Sequence, residues 1–340
     1  MEGYVPGEQP SDPDIIKLNT NENPYLCSPE VHDILCEIDV AQMAKYPDPV
    51  CTEVRKVIAE KHEVGVGNVF AGNGSDEVLA LCIRAFVEPD GGSVGFFDPS
   101  YSLYPVLAQI EDVETRPVVL AENFEWQMPD GYEASVFFLT NPNAPTSLLF
   151  PKAKIEAFIK SFPGVVVIDE AYVDFAKEDC MEFATKYDNV LVARTLSKSY
   201  ALAGIRFGYC VGNQELIGAL YKIKDSYNVN TLTQELARVA LLDDSTMEAI
   251  TSAVKNTRAF FTTELETLGF TVYPSEANFL WVKPNVMPAK TVFEELRARK
   301  VFVRWFDGER TKDCLRITVG TNEQMLKLIE TLEEVLGKEG

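Results

Sequence analysis

Over roughly the first 245 residues, hydrophobic positions gather into short runs separated by longer mixed segments. Seven β-rich runs stand at 69–71, 93–97, 115–119, 136–140, 165–169, 190–194 and 207–211. Several are apolar throughout instead of alternating, Val165-Val166-Val167-Ile168 most plainly. That is the pattern of strands buried on both faces of a mostly parallel sheet. Between the runs the spacing predicts helices at 75–87, 152–162 and 234–242. The alternation implies α/β architecture with a mostly parallel, seven-stranded sheet.

Beyond that stretch the texture changes. A long helical pattern over 246–268 leads to strand-like 271–273 and 278–282. A helix over 290–300, two more strands and a terminal helix over 323–336 follow. This part reads as a smaller α+β domain, with the N-terminal segment folding back over it. The expected division is an arm at 1–40 that contributes to the small domain, a large α/β domain at 41–245, and a small C-terminal domain at 246–340.

Composition narrows the function. The 340 residues are 46% hydrophobic and 24% charged, the mixture of a folded protein. With 31 Lys+Arg against 52 Asp+Glu, the net charge of −21 disfavours nucleic acid as a partner. The longest aliphatic run is far shorter than the roughly 20 residues a membrane span needs, so no membrane partner is expected. The first residues, MEGYVPGEQP, lack the basic and apolar regions of a secretion signal. Seven scattered cysteines without a C-x-x-C pair fit reduced thiols and a cytoplasmic location. Two histidines, His32 and His62, argue against a His-rich metal site and against a Ser-His-Asp triad. No metal is expected.

Four segments each follow a predicted strand, where an open α/β sheet places its ligands. Gly72-Asn73-Gly74-Ser75-Asp76-Glu77 opens a helix and offers N–H groups and a hydroxyl to an anion, or is an ordinary capped helix start. Asp169 ends an apolar strand, where its carboxylate caps a helix or holds a positively charged group such as a protonated ring nitrogen. Arg194-Thr195-Leu196-Ser197-Lys198-Ser199-Tyr200, with Arg206 beyond, supplies hydroxyls and a guanidinium for a phosphate. Lys198 beside it suits bonding to an aldehyde, the alternative being a surface lysine. Asn141-Pro142-Asn143-Ala144-Pro145-Thr146-Ser147 makes a rigid turn. An anion cup, an acid, an amine and a rigid turn on one sheet are together what pyridoxal 5′-phosphate requires.

The chain resembles the fold-type I PLP-dependent aminotransferases, class II subfamily, and among them the histidinol-phosphate aminotransferases. The resemblance runs from Leu18-Asn19-Thr20-Asn21-Glu22-Asn23-Pro24-Tyr25 to Leu315-Arg316-Ile317-Thr318-Val319-Gly320-Thr321. It is most specific at Tyr46-Pro47-Asp48-Pro49, at Asp169-Glu170-Ala171-Tyr172-Val173-Asp174-Phe175, and over 194–209. It implies that Lys198 bonds the cofactor aldehyde and moves the substrate's α-proton, and that Asp169 partners the pyridine nitrogen. Tyr172 is implied as the ring-hydroxyl contact and Tyr101 as the aromatic on the ring face. Ser75, Asp76, Thr195, Ser197 and Arg206 match the phosphate-binding positions. Tyr46 resembles a residue reaching the cofactor phosphate of a neighbouring subunit, which implies a homodimer with shared active sites. Arg316, Arg304 and Tyr25 match contacts to the anionic end of the substrate. The family usually reads Asn-Pro-Thr-Gly where this chain has Ala144-Pro145-Thr146-Ser147. Either Asn143, one residue earlier, reaches the ring, or Tyr172 acts alone. The implied reaction moves the amino group of L-histidinol phosphate to 2-oxoglutarate, giving imidazole-acetol phosphate and L-glutamate in histidine biosynthesis. An aromatic-amino-acid aminotransferase and a threonine-phosphate decarboxylase are the alternatives.

Overall fold

The computed structural model describes residues 3–337. All seven β-rich runs are strands of one sheet: β1 (Val69–Gly72), β2 (Ser93–Asp98), β3 (Glu114–Val119), β4 (Val136–Thr140), β5 (Val165–Asp169), β6 (Val190–Thr195) and β7 (Gly208–Gly212). Their order is β1-β7-β6-β5-β4-β2-β3. Strand β7 runs antiparallel to both neighbours, and the remaining pairs are parallel.

The central strands are apolar at consecutive positions because both faces are covered. Phe137, Val166, Ile168, Val190 and Val192 pack into one hydrophobic core, while Val136, Phe138, Val167, Leu191 and Ala193 pack into another on the opposite face. The period-2 direction of strand side chains divides each run between the two. Register then places the chemistry: Asp169 pairs with Thr140 on one side and with Ala193 on the other. The carboxyl ends of β4, β5 and β6 therefore emerge together.

A further core gathers Leu18, Val254, Phe261, Leu265, Phe279, Val282, Leu315, Ile317 and Leu328. It lies under a four-stranded antiparallel sheet of β8 (Phe270–Val272), β9 (Phe279–Pro284), β10 (Arg304–Trp305) and β11 (Leu315–Thr318), in the order β10-β11-β9-β8. Helices Asp244–Thr267, Ala289–Ala298 and Asn322–Leu336 supply the rest of it. The N-terminal segment does fold back here. Ile16–Lys17 pairs in parallel with Val301–Phe302, and the Leu18 carbonyl accepts from the Thr318 N–H at 2.9 Å. Ala144, Tyr172 and Phe175, from loops of the large sheet, pack into this same core. The two halves thus meet at the loops that carry the chemistry.

Helix Thr231–Leu242 starts before the expected position because the Asn230 side chain accepts from the Thr233 N–H and caps it there. Helices Pro29–Glu37 and Thr52–Lys61 are additions to the sequence reading. The first buries Val31 alone and the second Val54, Ile58 and Ala59, stripes too narrow to stand out in the pattern.

Leu18, at 1% exposure, ties the N-terminal segment to the smaller core. Leu18→Ala is expected to cost about 2–5 kcal/mol of stability, read as a lower denaturant midpoint. An unchanged midpoint would detach the segment from that core.

Candidate active site

A cavity of about 270 Å³ lies at the carboxyl ends of β4–β6, between them and the paired strands β10 and β11. Its floor begins with an anion cup. Gly74 has φ +81°, and a Cβ there would stand 2.8 Å from the Arg206 guanidinium. A Cβ on Gly208 would fall 2.3 Å from the Ser75 backbone nitrogen. Missing side chains thus let helix Ser75–Phe86 bring its N-terminus against β7 and beside Arg206. Arg206, itself left-handed at φ +54°, pairs with Asp76 at 3.1 Å. The Tyr101 hydroxyl donates to the other Asp76 oxygen at 3.2 Å. Thr195 donates to Ser197 at 3.0 Å, and both line the cavity with Ser75 and Arg206. Hydroxyls, a helix N-terminus and a guanidinium around one space make a receptor for a phosphate dianion.

Asp169 is buried at the end of β5 and accepts from the Tyr104 hydroxyl at 2.7 Å and from the Ala171 N–H at 3.2 Å. Burial pushes its carboxyl up to about 6, against the opposing pull of those two hydrogen bonds. The Tyr104 phenol is raised well above its ordinary range by burial and by Asp169, so it remains a donor. Tyr104 is an addition to the sequence reading; it lies in helix Leu103–Ile110, three residues after Tyr101.

Lys198 faces the cavity with its Nζ 5.8 Å from the centre of the Tyr172 ring. Burial pushes the ammonium down to about 8, and the charge of Arg316 acts in the same direction, while Asp76 and Glu22 oppose it. The Asn23 side chain donates to the Lys198 carbonyl at 2.8 Å, and Asn21 donates to the Tyr172 hydroxyl at 3.0 Å. Two asparagines of the N-terminal motif therefore hold the amine's loop and the phenol. Behind them, Arg194 grips Glu170 through two bonds at 2.9 and 2.8 Å, clamping the end of β6 to the residue after Asp169.

The far wall is cationic. Arg304 and Arg316 stand opposite each other across β10 and β11, so they share a face. The Arg316 guanidinium lies 5.5 Å from the Phe279 ring centre and 5.4 Å from that of Phe306, and donates to the Asn19 carbonyl at 2.9 Å. Its buried Nε has no hydrogen-bond partner among the described residues. Arg304 donates to the carbonyls of Val5 at 3.0 Å and Pro6 at 3.3 Å.

Three expected site residues lie elsewhere. Asn143 is fully buried off the cavity: its amide donates to the Pro99 carbonyl at 3.1 Å and the Thr146 hydroxyl at 2.8 Å, and its Oδ1 accepts from Ser100 at 3.3 Å. Ala144 and Pro145 line the wall in its place. The expectation that Asn143 reaches the ring is corrected accordingly: its side chain is consumed in closing the turn. Ser147 keeps the left-handed backbone, φ +63°, that a glycine would adopt without strain. Tyr25 packs against the smaller core outside the cavity lining. Tyr46 is 79% exposed and stacks on Tyr227 at 4.4 Å.

The lining fits pyridoxal 5′-phosphate. The cup matches its phosphate, Asp169 a protonated ring nitrogen, Tyr101 its ring face, and Lys198 its aldehyde. Among the described residues no group of three His, Cys, Asp or Glu side chains is placed to hold a metal ion.

The family model of aminotransferase class I and II matches residues 13–332. The histidinol-phosphate aminotransferase of Rippkaea orientalis is 39% identical over 336 residues, covering 98% of this chain and 96% of that protein. That of Chromohalobacter salexigens is 43% identical over 342 residues, covering 98% and 95%. The solved histidinol-phosphate aminotransferase of Sinorhizobium meliloti, in complex with pyridoxal-5′-phosphate, has a TM-score of 0.85 at 24% identity, covering 94% and 90% of the two chains. The L-threonine-O-3-phosphate decarboxylase of Porphyromonas gingivalis has 0.83 at 22% identity, covering 94% and 99%. The fold alone is thus similar to both transferases and a lyase.

In protein stripped of cofactor, the pH dependence of Lys198 acylation, followed by peptide mass spectrometry, is expected to inflect near pH 8. Arg316→Met removes a charge that favours the neutral amine, so its inflection moves upward. An inflection at the ordinary lysine value of about 10.4 in the unaltered protein would contradict the burial argument.

Proposed function

The chain belongs to the aminotransferase class I and II family, and from that membership we propose that it transfers the amino group of L-histidinol phosphate to 2-oxoglutarate. The products are imidazole-acetol phosphate and L-glutamate, and the step belongs to L-histidine biosynthesis. The observation that carries this reading is the pair Arg304 and Arg316 on one cavity face. One arginine fork satisfies a carboxylate, whereas a phosphate dianion calls for a second cation. The two relatives at 39% and 43% identity, matched over nearly their whole length, support it.

Pyridoxal 5′-phosphate, when bound, supplies an aldehyde that carries the amino group and a ring that accepts electrons from the substrate's α-carbon. Ser75, Asp76, Thr195, Ser197 and Arg206 hold its phosphate in this reading, and Tyr101 covers its ring. Asp169, kept out of water and oriented by Tyr104, keeps the ring nitrogen protonated. Tyr172 holds the ring hydroxyl without help from Asn143. Lys198, whose amine burial brings down to about 8, would take the proton from the substrate's α-carbon and hold it for return. Arg316 and Arg304 orient the donor by its phosphate, and then accept a carboxylate of 2-oxoglutarate.

A homodimer with shared active sites is part of the proposal. Tyr46 stands exposed on a stretch that also exposes Leu26, Val40 and Met43, apolar surface that a second copy would cover. Among the described residues no helix is long and apolar enough to cross a membrane, and all seven cysteines are free. The free cysteines fit the proposed cytoplasmic location.

Purified enzyme with cofactor, histidinol phosphate and 2-oxoglutarate is expected to form glutamate in step with loss of the donor. Preference for phenylalanine as donor would move the chain to aromatic metabolism, and carbon dioxide release from threonine phosphate would make it a lyase. Lys198→Ala should abolish transfer while circular dichroism and the thermal midpoint stay near those of the unaltered protein. Near-normal transfer by that variant would overturn Lys198 as the proton carrier.

A further inference from the structure

Three carboxylates line the cavity: Asp76, Asp169 and Glu22. The first two are committed, Asp76 to Arg206 and Tyr101, Asp169 to Tyr104 and the Ala171 N–H. Glu22 is different. Its side chain is 44% exposed, and its Oε2 is paired with Lys17, which does not line the cavity. Its Oε1 accepts no hydrogen bond from the described residues. The negative charge of Glu22 is felt at Lys198, which places it within electrostatic reach of the reacting amine.

The backbone presents this carboxylate deliberately. Asn21, immediately before it, is left-handed at φ +54°, an uncommon conformation for a residue with a side chain. Four hydrogen bonds hold it there. Its N–H donates to Thr318 at 3.0 Å, its side-chain amide donates to Tyr172 at 3.0 Å, and its Oδ1 accepts from Thr318 at 3.2 Å. Its carbonyl accepts from Asn278 at 3.0 Å. Asn23, immediately after Glu22, is bonded to the Lys198 carbonyl. A half-exposed acid is thus fixed between two anchored asparagines, on the wall of a cavity whose anion receptors are cationic.

We infer that Glu22 is a specificity-determining residue, whose free carboxylate oxygen accepts a hydrogen bond from the imidazole ring of the amino donor. The inference rests on the histidinol-phosphate reading above. With the phosphate at Arg304 and Arg316 and the amine at Lys198, the ring is the donor's remaining polar group, and it carries an N–H in every protonation state. A phenyl ring has no such hydrogen and offers the free oxygen nothing, so the site favours the imidazole donor over the phenyl one. A protonated imidazole adds a charge pair. The charged groups facing Glu22 are Lys17 and, across the cavity, Lys198, with Asp76, Asp169, Arg206, Arg304 and Arg316 on the remaining walls.

The test compares Glu22→Gln with the unaltered holoenzyme, using histidinol phosphate and phenylalanine as donors between pH 5.5 and 8.5. Discrimination, the ratio of kcat/KM for the two donors, is expected to fall about 10- to 100-fold, the worth of a hydrogen bond to a charged group. The loss should sit mainly in the KM for histidinol phosphate. It should be largest below the ring's ordinary pKa of about 6.5, where the ring is charged, and shrink as pH rises through that value. Lys17→Met keeps the carboxylate and removes its partner, so it should retain the unaltered discrimination. Equal losses on both donors, a loss independent of pH, or a Lys17→Met variant that reproduces Glu22→Gln would each overturn the role of Glu22 alone. An unaltered enzyme that accepts no amino group from histidinol phosphate would overturn the functional reading itself, and this inference with it.

Discussion

An acid and an amine, Asp169 at the end of β5 and Lys198 three residues beyond β6, must be held where their charges are disfavoured, and the rest of the site is arranged around that constraint. Removing either charge from water is expensive, and each group responds by moving its pKa toward neutrality. The protein does not let them neutralise each other. Asp169 is turned to Tyr104 and a backbone N–H, while Lys198 stays beside the ring of Tyr172 and feels the charge of Arg316. The buried Arg194–Glu170 pair, with two guanidinium nitrogens on one carboxylate oxygen, ties the end of β6 to the residue that follows Asp169.

The same constraint decides what could be read from the sequence. Strands with both faces covered must be apolar at consecutive positions, so β4, β5 and β6 stand out without any structure. Asp169 ends one such strand and Lys198 comes three residues after another, and those positions are what make them candidates. Helix ends were less legible, since the cap at Asn230 depends on one side-chain hydrogen bond and not on periodicity. Tyr104, Asn21 and Glu22 reach the site through long-range folding, Asn21 from 151 residues away in the chain. No local pattern reports such a distance. Asn143 failed in the opposite sense: the motif placed it correctly in the turn, but its hydrogen bonds close that turn and leave nothing for the cavity.

Net charge says nothing about the site. A chain of net charge −21 builds a cavity whose anion receptors are Arg206, Arg304, Arg316 and a helix N-terminus. Low local dielectric makes these near charges outweigh the distant acidic surface. Glu22 supplies the counterpoint on the same wall. An anionic group and a basic ring in one donor need receptors of both signs within one small volume.

Asp169 as the counter-ion of a protonated ring is the claim on which this account turns. The direct measurement is the nitrogen-15 NMR shift of ring-labelled pyridoxal 5′-phosphate, bound to the unaltered protein and to Asp169→Asn near neutral pH. The account predicts a protonated ring nitrogen in the first and an unprotonated one in the second, with the cofactor still bound through its phosphate. An unprotonated nitrogen in the unaltered protein, or the same shift in both proteins, would contradict it.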